Sequence, residues 1–215
     1  MRPATITLAI VLGLAVASQA EPLSVASPAG IVTVSVDVVD GRAVYAVLSR
    51  GTEVIRPSTL GLVLEGAARL DSNLEVASHS RSETRSSWKP VYGERSEFPD
   101  RFNALTVELR ERIPPGWTLV VEFRAYDEGV AFRYQVPSQP RLATFVIGGE
   151  STEFRLARGA FAWVTPDAQA LYERVAIEDM TRLSERPLLV ETATGTGTRT
   201  TTRPTRPASA STHAA

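Results

Sequence analysis

From Ile31 onward apolar and polar residues alternate with a period of two, and this pattern constrains the chain more than any other feature. Such alternation puts one face of an extended segment into a core and the other into water, as half-buried β-strands require. Val32, Val34, Val36 and Val38 fall on one face, with Thr33, Ser35 and Asp37 on the other. Asp40-Gly41-Arg42 is expected to turn the chain, so that Val44, Ala46 and Leu48 return on the inward side. Further on, Leu105, Val107 and Leu109 alternate with Thr106, Glu108 and Arg110, and Trp117, Leu119, Val121 and Phe123 with Thr118, Glu122 and Arg124. Asp127-Glu128-Gly129 reads as a three-residue hairpin loop with glycine in the left-handed conformation. It leads to a strand that turns Val130, Phe132, Tyr134 and Val136 inward.

Weaker strands are expected at 144–147, 152–156 and 160–164. Turn signals recur about every ten residues, which is the pattern of a sandwich of short strands. One short helical segment is predicted over 168–181, near the C-terminal end. The fold expected is all-β, a large β-sandwich.

The two ends differ from this body. Residues 1–20 have the layout of a secretory signal peptide: Arg2, an apolar run over 6–17, then Ser18-Gln19-Ala20 before the expected cleavage point. The apolar run is too short to span a bilayer, and no later segment is long enough to try. A periplasmic or secreted protein is expected, its folded domain occupying residues 21–191. Residues 192–215 contain nine threonines among Ala, Ser, Pro, Gly and Arg. A segment of that composition cannot bury enough surface to offset the entropy of ordering it, so a disordered tail is expected.

Charge and composition exclude several functions. A net charge of −1 offers no concentrated basic face for nucleic acid or anionic lipid. With no cysteine there is no disulfide framework, thiolate nucleophile or thiolate zinc site. Of the two histidines, His79 sits in a polar Ser-His-Ser-Arg-Ser stretch, read as an exposed loop, and His213 lies in the tail. Neither is flanked by a nucleophile turn, so no Ser-His-Asp triad is assigned. Phosphate-binding loops, dinucleotide fingerprints and H-E-x-x-H pairs are absent from the sequence.

Three stretches are more specific than generic strand. The first is Ser87-Trp88-Lys89-Pro90-Val91-Tyr92-Gly93-Glu94-Arg95-Ser96-Glu97, followed by Arg101-Phe102-Asn103-Ala104-Leu105-Thr106-Val107. The second is Phe123-Arg124-Ala125-Tyr126-Asp127-Glu128-Gly129-Val130-Ala131-Phe132-Arg133-Tyr134. The third is Thr152-Glu153-Phe154, leading to Ala162-Trp163 and Tyr172-Glu173. In this order and spacing, over residues 24–191, the chain resembles the N-terminal domain of glycoside hydrolase family 97. Ser27-Pro28-Ala29-Gly30 and Pro57-Ser58-Thr59-Leu60-Gly61-Leu62 fit the same pattern.

The resemblance implies a supersandwich-like β-domain followed by a (β/α)₈ barrel that carries the catalytic carboxylates and most of a calcium site. Such enzymes hydrolyse α-glucosides or α-galactosides, with two acidic groups flanking the glycosidic bond. By that comparison the barrel carboxylates lie outside this sequence, and no catalytic residue is assigned within it. The strand after Pro187-Leu188-Leu189-Val190-Glu191 should continue with apolar alternation, whereas Thr-Ala-Thr-Gly-Thr-Gly-Thr-Arg follows. A lost reading frame or truncation and a native linker or stalk both account for this tail.

Glu173 is the one site residue assigned, as the carboxylate that the N-terminal domain lends to the calcium site of an intact relative. A single carboxylate is not expected to hold Ca²⁺ in this chain alone, because the ion takes six to eight oxygen ligands. Glu173, Arg174, Glu178, Asp179 and Arg182 also read as the solvated face of the short helix. Trp88, Tyr92 and Trp163 could stack on sugar rings but are expected to pack. Glu94, Arg95, Glu97, Asp100 and Arg101 are expected to form salt-bridged loop charges that help dock the sandwich onto the barrel. Carbohydrate is the partner class implied. The alternatives are a free-standing secreted carbohydrate-binding module, and a sandwich that dimerises or binds protein through the surface meant for the barrel.

Overall fold

A computed structural model of the protein describes residues 22–66, 69–140, 142–181, 183–192 and 197–200. The leader at 1–20, Arg182 and most of the expected tail, His213 included, lie outside the described residues. In chain order the strands are β1 (Leu23–Ala26), β2 (Val32–Val39), β3 (Arg42–Ser49), β4 (Thr52–Leu60), β5 (Leu62–Leu64), β6 (Arg69–Leu70), β7 (Leu74–Trp88) and β8 (Phe98–Glu111). There follow β9 (Thr118–Tyr126), β10 (Gly129–Gln135), β11 (Ile147–Glu150), β12 (Arg155–Leu156), β13 (Phe161–Val164), β14 (Glu173–Ala176), β15 (Leu188–Glu191) and β16 (Gly197–Thr200). They form antiparallel sheets ordered β1-β2-β3-β4-β12, β10-β9-β8-β7, β11-β5-β6 and β14-β13-β15-β16. The all-β sandwich is therefore the observed architecture.

Its core lies between the first two sheets. Val34 and Val36 of β2 and Ala43 and Tyr45 of β3 are buried with Leu105, Val107 and Leu109 of β8 and Leu119, Val121 and Phe123 of β9. Fully burying an aliphatic side chain of this kind contributes roughly 1.5–3 kcal/mol, so the two alternating faces supply the main driving force. Val130, Phe132, Tyr134 and Val136 pack against this core as partly buried side chains.

Two details of the expected pattern are corrected. The inward residues of β3 are Ala43, Tyr45 and Val47, not Val44, Ala46 and Leu48. The turn is a two-residue one: Val39 pairs with Arg42, and Asp40 and Gly41 have φ of 50° and 73°. Counting Arg42 into the strand shifts the parity by one residue, which exchanges its two faces. Likewise Gly129 pairs directly with Tyr126, leaving Asp127-Glu128 as the connection, and Gly129 is not among the left-handed glycines.

The helix predicted over 168–181 is also replaced. Glu173–Ala176 is a strand, and a single 3₁₀ turn spans Ile177–Asp179. Val175 is β-branched and sits opposite Ala162 of β13, so sheet pairing outcompetes a helix too short to be stable alone. His79, read as a loop residue, lies within β7, where it is exposed opposite Val107. The strand expected at 144–147 lies a little later, at Ile147–Glu150. The backbone of Gly197–Thr200, within the segment expected to be tail, pairs with Leu188–Glu191.

Three contacts fix how the layers meet. The Tyr45 hydroxyl, from the middle of β3, donates to the Glu153 carbonyl at 2.9 Å. Gly61 passes so close to Asp71 that a Cβ there would lie 2.4 Å from the Asp71 Cβ. Asp71, nearly fully buried, accepts from Arg69 at 3.2 and 3.0 Å and from the Ser151 hydroxyl at 2.9 Å. At the junction of the two large sheets, the edge carbonyls of β1 are covered by side chains. Arg81 donates to the Ser24 carbonyl at 3.2 and 3.1 Å, and Asn103 to that of Ala26 at 2.8 Å.

Candidate functional site

Glu173 opens β14 opposite Val164, and its side chain is exposed. Strand alternation separates it from its neighbour. Arg174 lies opposite Trp163 on the other face of the sheet, where Glu191 lies opposite Phe161. There the Trp163 indole donates to one oxygen of Glu191 at 2.8 Å and Arg174 Nε to the other at 2.9 Å. The Arg174 guanidinium also lies 3.6 Å from the Phe161 ring centroid. The Trp163 indole, and after it Arg174, hold the Glu191 carboxyl below its usual range. Trp163 therefore packs as expected, half-buried, and Glu191, the last residue of the expected domain, is its hydrogen-bond partner.

The charged residues near Glu173 do not share one helical face. Glu178 turns back to accept from the Gly159 N–H at 2.9 Å. Among the described residues no group of three or more His, Cys, Asp or Glu side chains converges as a metal site. Glu173 offers one carboxylate where calcium needs six to eight oxygens, so the described residues do not form a calcium site by themselves.

A second candidate surface is the far end of the β7–β8 hairpin. β9 pairs with β8 only over Asn103–Arg110, so Thr84–Trp88 and Phe98–Phe102 run on as a two-stranded ribbon. Its tip carries the aromatic residues. Trp88 stacks on Phe98 across the strands, with ring centroids 4.9 Å apart and 16° between the planes. Trp88 nevertheless remains 53% exposed, and Val91 and Tyr92 are 99% and 90% exposed. Packing accounts for one face of Trp88 and for none of Tyr92.

The charged run along this ribbon is not held by ion pairs among the described residues, contrary to expectation. Glu97 hydrogen-bonds the Ser87 hydroxyl, Asp100 accepts from the Tyr126 hydroxyl at 3.1 Å, and Arg95 lies 5.8 Å from the Phe98 ring centroid. Short polar and aromatic partners are nearer to hand than opposite charges on so narrow a ribbon. Arg85, Ser86, Ser87, Glu97, Pro99 and Arg101 line an open groove of about 540 Å³ beside the tip.

The strongest charge cluster lies instead on the outer face of β9 and β10. Glu122, only 12% exposed, accepts from Arg124 at 2.6 Å and from Arg133 at 2.8 Å. Burial alone would raise its pKa, but the two guanidiniums outweigh burial and hold it below the usual carboxylate range. Its signal in the sequence is only its place on the polar side of the alternation.

Taken together, the antiparallel sandwich, the aromatic-tipped ribbon and the small C-terminal sheet define an all-β module whose ribbon tip is exposed. The family model described as the glycosyl-hydrolase 97 N-terminal domain matches residues 25–200, and the chain belongs to that family. A retaining α-galactosidase of Bacteroides thetaiotaomicron is 26% identical over 111 residues, which is 52% of this chain and 16% of that protein. A family 97 enzyme from Pseudoalteromonas sp. strain K8, solved with panose and with acarbose, is similar over 80% of this chain and 27% of its own, with a TM-score of 0.75 and 28% identity. A β-arabinopyranosidase structure shares the fold, with a TM-score of 0.72 and 23% identity, over 79% of this chain and 29% of its own. The chain thus spans less than a third of the length of these relatives.

Proposed function

We propose that this chain is the exported N-terminal accessory domain of a glycoside hydrolase acting on α-glucosides or α-galactosides, and that it catalyses nothing by itself. What carries the reading is the match to the family's N-terminal domain over 25–200, set against relatives about three times as long. In such an enzyme the sandwich braces a catalytic barrel, which supplies the acidic pair, and the open ribbon tip and C-terminal sheet are the surfaces available for bracing. Glu173 lends one carboxylate to a calcium ion whose other oxygens come from the barrel. The test is hydrolysis of 4-nitrophenyl α-glucoside and α-galactoside by the purified chain with calcium. No turnover is expected, and robust hydrolysis abolished by Glu173→Ala would overturn the proposal.

A second reading is supported by the half-exposed Trp88 face beside the groove at Arg85–Arg101. It makes the chain a secreted carbohydrate-binding module, the apolar side of a pyranose stacking on Trp88. Calorimetric titration with maltooligosaccharides and galactosides should then show affinity that Trp88→Ala removes. A flat titration across the panel eliminates this reading and leaves the first.

A further inference from the structure

Strand β7 stands out from the core. From Ala77 to Trp88 every residue but Thr84 is exposed, so both faces of the strand meet solvent. It lies at the end of its sheet, hydrogen-bonded to β8 alone. Its outer edge therefore offers a row of backbone donors and acceptors, without proline and beyond the irregularity between Val76 and Ser78. An edge this long and regular is a template for another strand.

Three charges on one face decide what that strand can be. Arg81, Glu83 and Arg85 alternate with Ser82, Thr84 and Ser86. A second copy paired antiparallel must be related by a twofold axis normal to the sheet, so a single residue sits opposite itself. With Arg81 or Glu83 on the axis, like charges face each other directly, which destabilises the pair. With Ser82 on the axis, Arg81 faces Glu83 of the second copy, and Glu83 faces its Arg81. Placing Thr84 there also pairs opposite charges, Glu83 with Arg85, but these two already pair with each other within the chain at 3.3 Å, so that register adds no new kind of contact. Over the regular stretch from Ser78 to Trp88 the two registers overlap equally, and Arg81 meets the Ser82 register in a fixed posture, Nε and Nη2 donating to the Ser24 carbonyl.

We propose that the chain forms a twofold dimer by joining β7 to β7 of a second copy, centred on Ser82, with reciprocal Arg81–Glu83 pairs. This edge is separate from Glu173 but runs into the ribbon, sharing Arg85 and Ser86 with the groove beside its tip, and it does not depend on the functional reading above.

The test uses the full chain, which contains no cysteine. Sedimentation equilibrium should show a concentration-dependent dimer. Glu83→Arg should weaken it at least tenfold, and Arg81→Glu combined with Glu83→Arg should restore it. Glu83 is 73% exposed at its side chain, so the fold should survive, and circular dichroism checks that it does. Ser82→Cys should form an intermolecular disulfide on air oxidation, since residues directly opposite lie about 4.5–5.5 Å apart at Cα. Ser80→Cys should not. A protein that stays monomeric, a dimer indifferent to Glu83→Arg, or cross-linking through Thr84→Cys in place of Ser82→Cys would each overturn the proposal.

Discussion

Tyr45 and Glu153, far apart in sequence, are joined by a hydrogen bond from the tyrosine hydroxyl to the glutamate's backbone carbonyl at 2.9 Å. The Tyr45 ring is 1% exposed and touches Phe123, Phe132 and Phe154 with centroids 5.9, 5.7 and 6.3 Å away. Tyr45→Phe keeps the ring and strands the carbonyl, at an expected cost of about 1 kcal/mol. Tyr45→Ala removes the ring as well and should cost about 4 kcal/mol. Urea denaturation with unchanged m-values would report both; a Phe variant as stable as the parent would show that the hydrogen bond contributes nothing.

Gly61 is expected to tolerate no side chain. A Cβ would lie 2.4 and 2.5 Å from the Cβ and Cα of Asp71. Backbone must move to relieve this, and Asp71 is held by Arg69 and Ser151. Gly61→Ala should therefore destabilise by about 3 kcal/mol or more, at the upper end of overpacking effects. A melting temperature within a degree or two of the parent's would contradict this close approach.

Glu122 gives the fold a pH dependence of definite sign. Its folded pKa lies below the ordinary 4.5, so the charged form is favoured by folding. The stability it contributes is present above 4.5 and is lost as pH falls through the depressed folded value. Glu122→Gln should be less stable than the parent at pH 7, by about 1 kcal/mol. The gap should close in acid, which paired urea titrations at neutral and low pH would measure. A gap that widens in acid would refute the assignment.

Trp163 reports on the C-terminal sheet. Its indole is tied to Glu191, which Arg174 also holds. Glu191→Ala should release the indole to water and shift its fluorescence to longer wavelength, with Trp163→Phe identifying the contribution. No spectral change would mean that Glu191 does not orient the ring.

The sequence is most legible where one side of a strand is buried. Val34, Val36, Leu105, Val107, Leu109, Leu119, Val121 and Phe123 were each placed correctly by alternation alone, because burial selects residue type at every second position. Alternation fails where nothing is buried: β7 is exposed on both faces, so Ser-His-Ser-Arg-Ser carries no period and reads as a loop. It fails again at the β2–β3 turn, where one residue of loop length decides which side chains face inward. The candidate surfaces were harder still. Glu173 has no local signature of its own and stands out only by family resemblance, and the Glu191 clamp depends on Trp163 and Arg174 meeting across strands, a pairing no local pattern encodes.

The side chains that cover the β1 edge have a consequence for the order of assembly. Arg81 and Asn103 lie 57 and 77 residues beyond the carbonyls they cap at Ser24 and Ala26. In a chain emerging from its N-terminus, the first hairpin can form early, yet its outer rim stays open until the later sheet arrives to close it. Such long-range closure is slow compared with local pairing. A fusion partner placed immediately before Leu23 would crowd that rim during the wait, so a tag for production belongs at the other end of the chain.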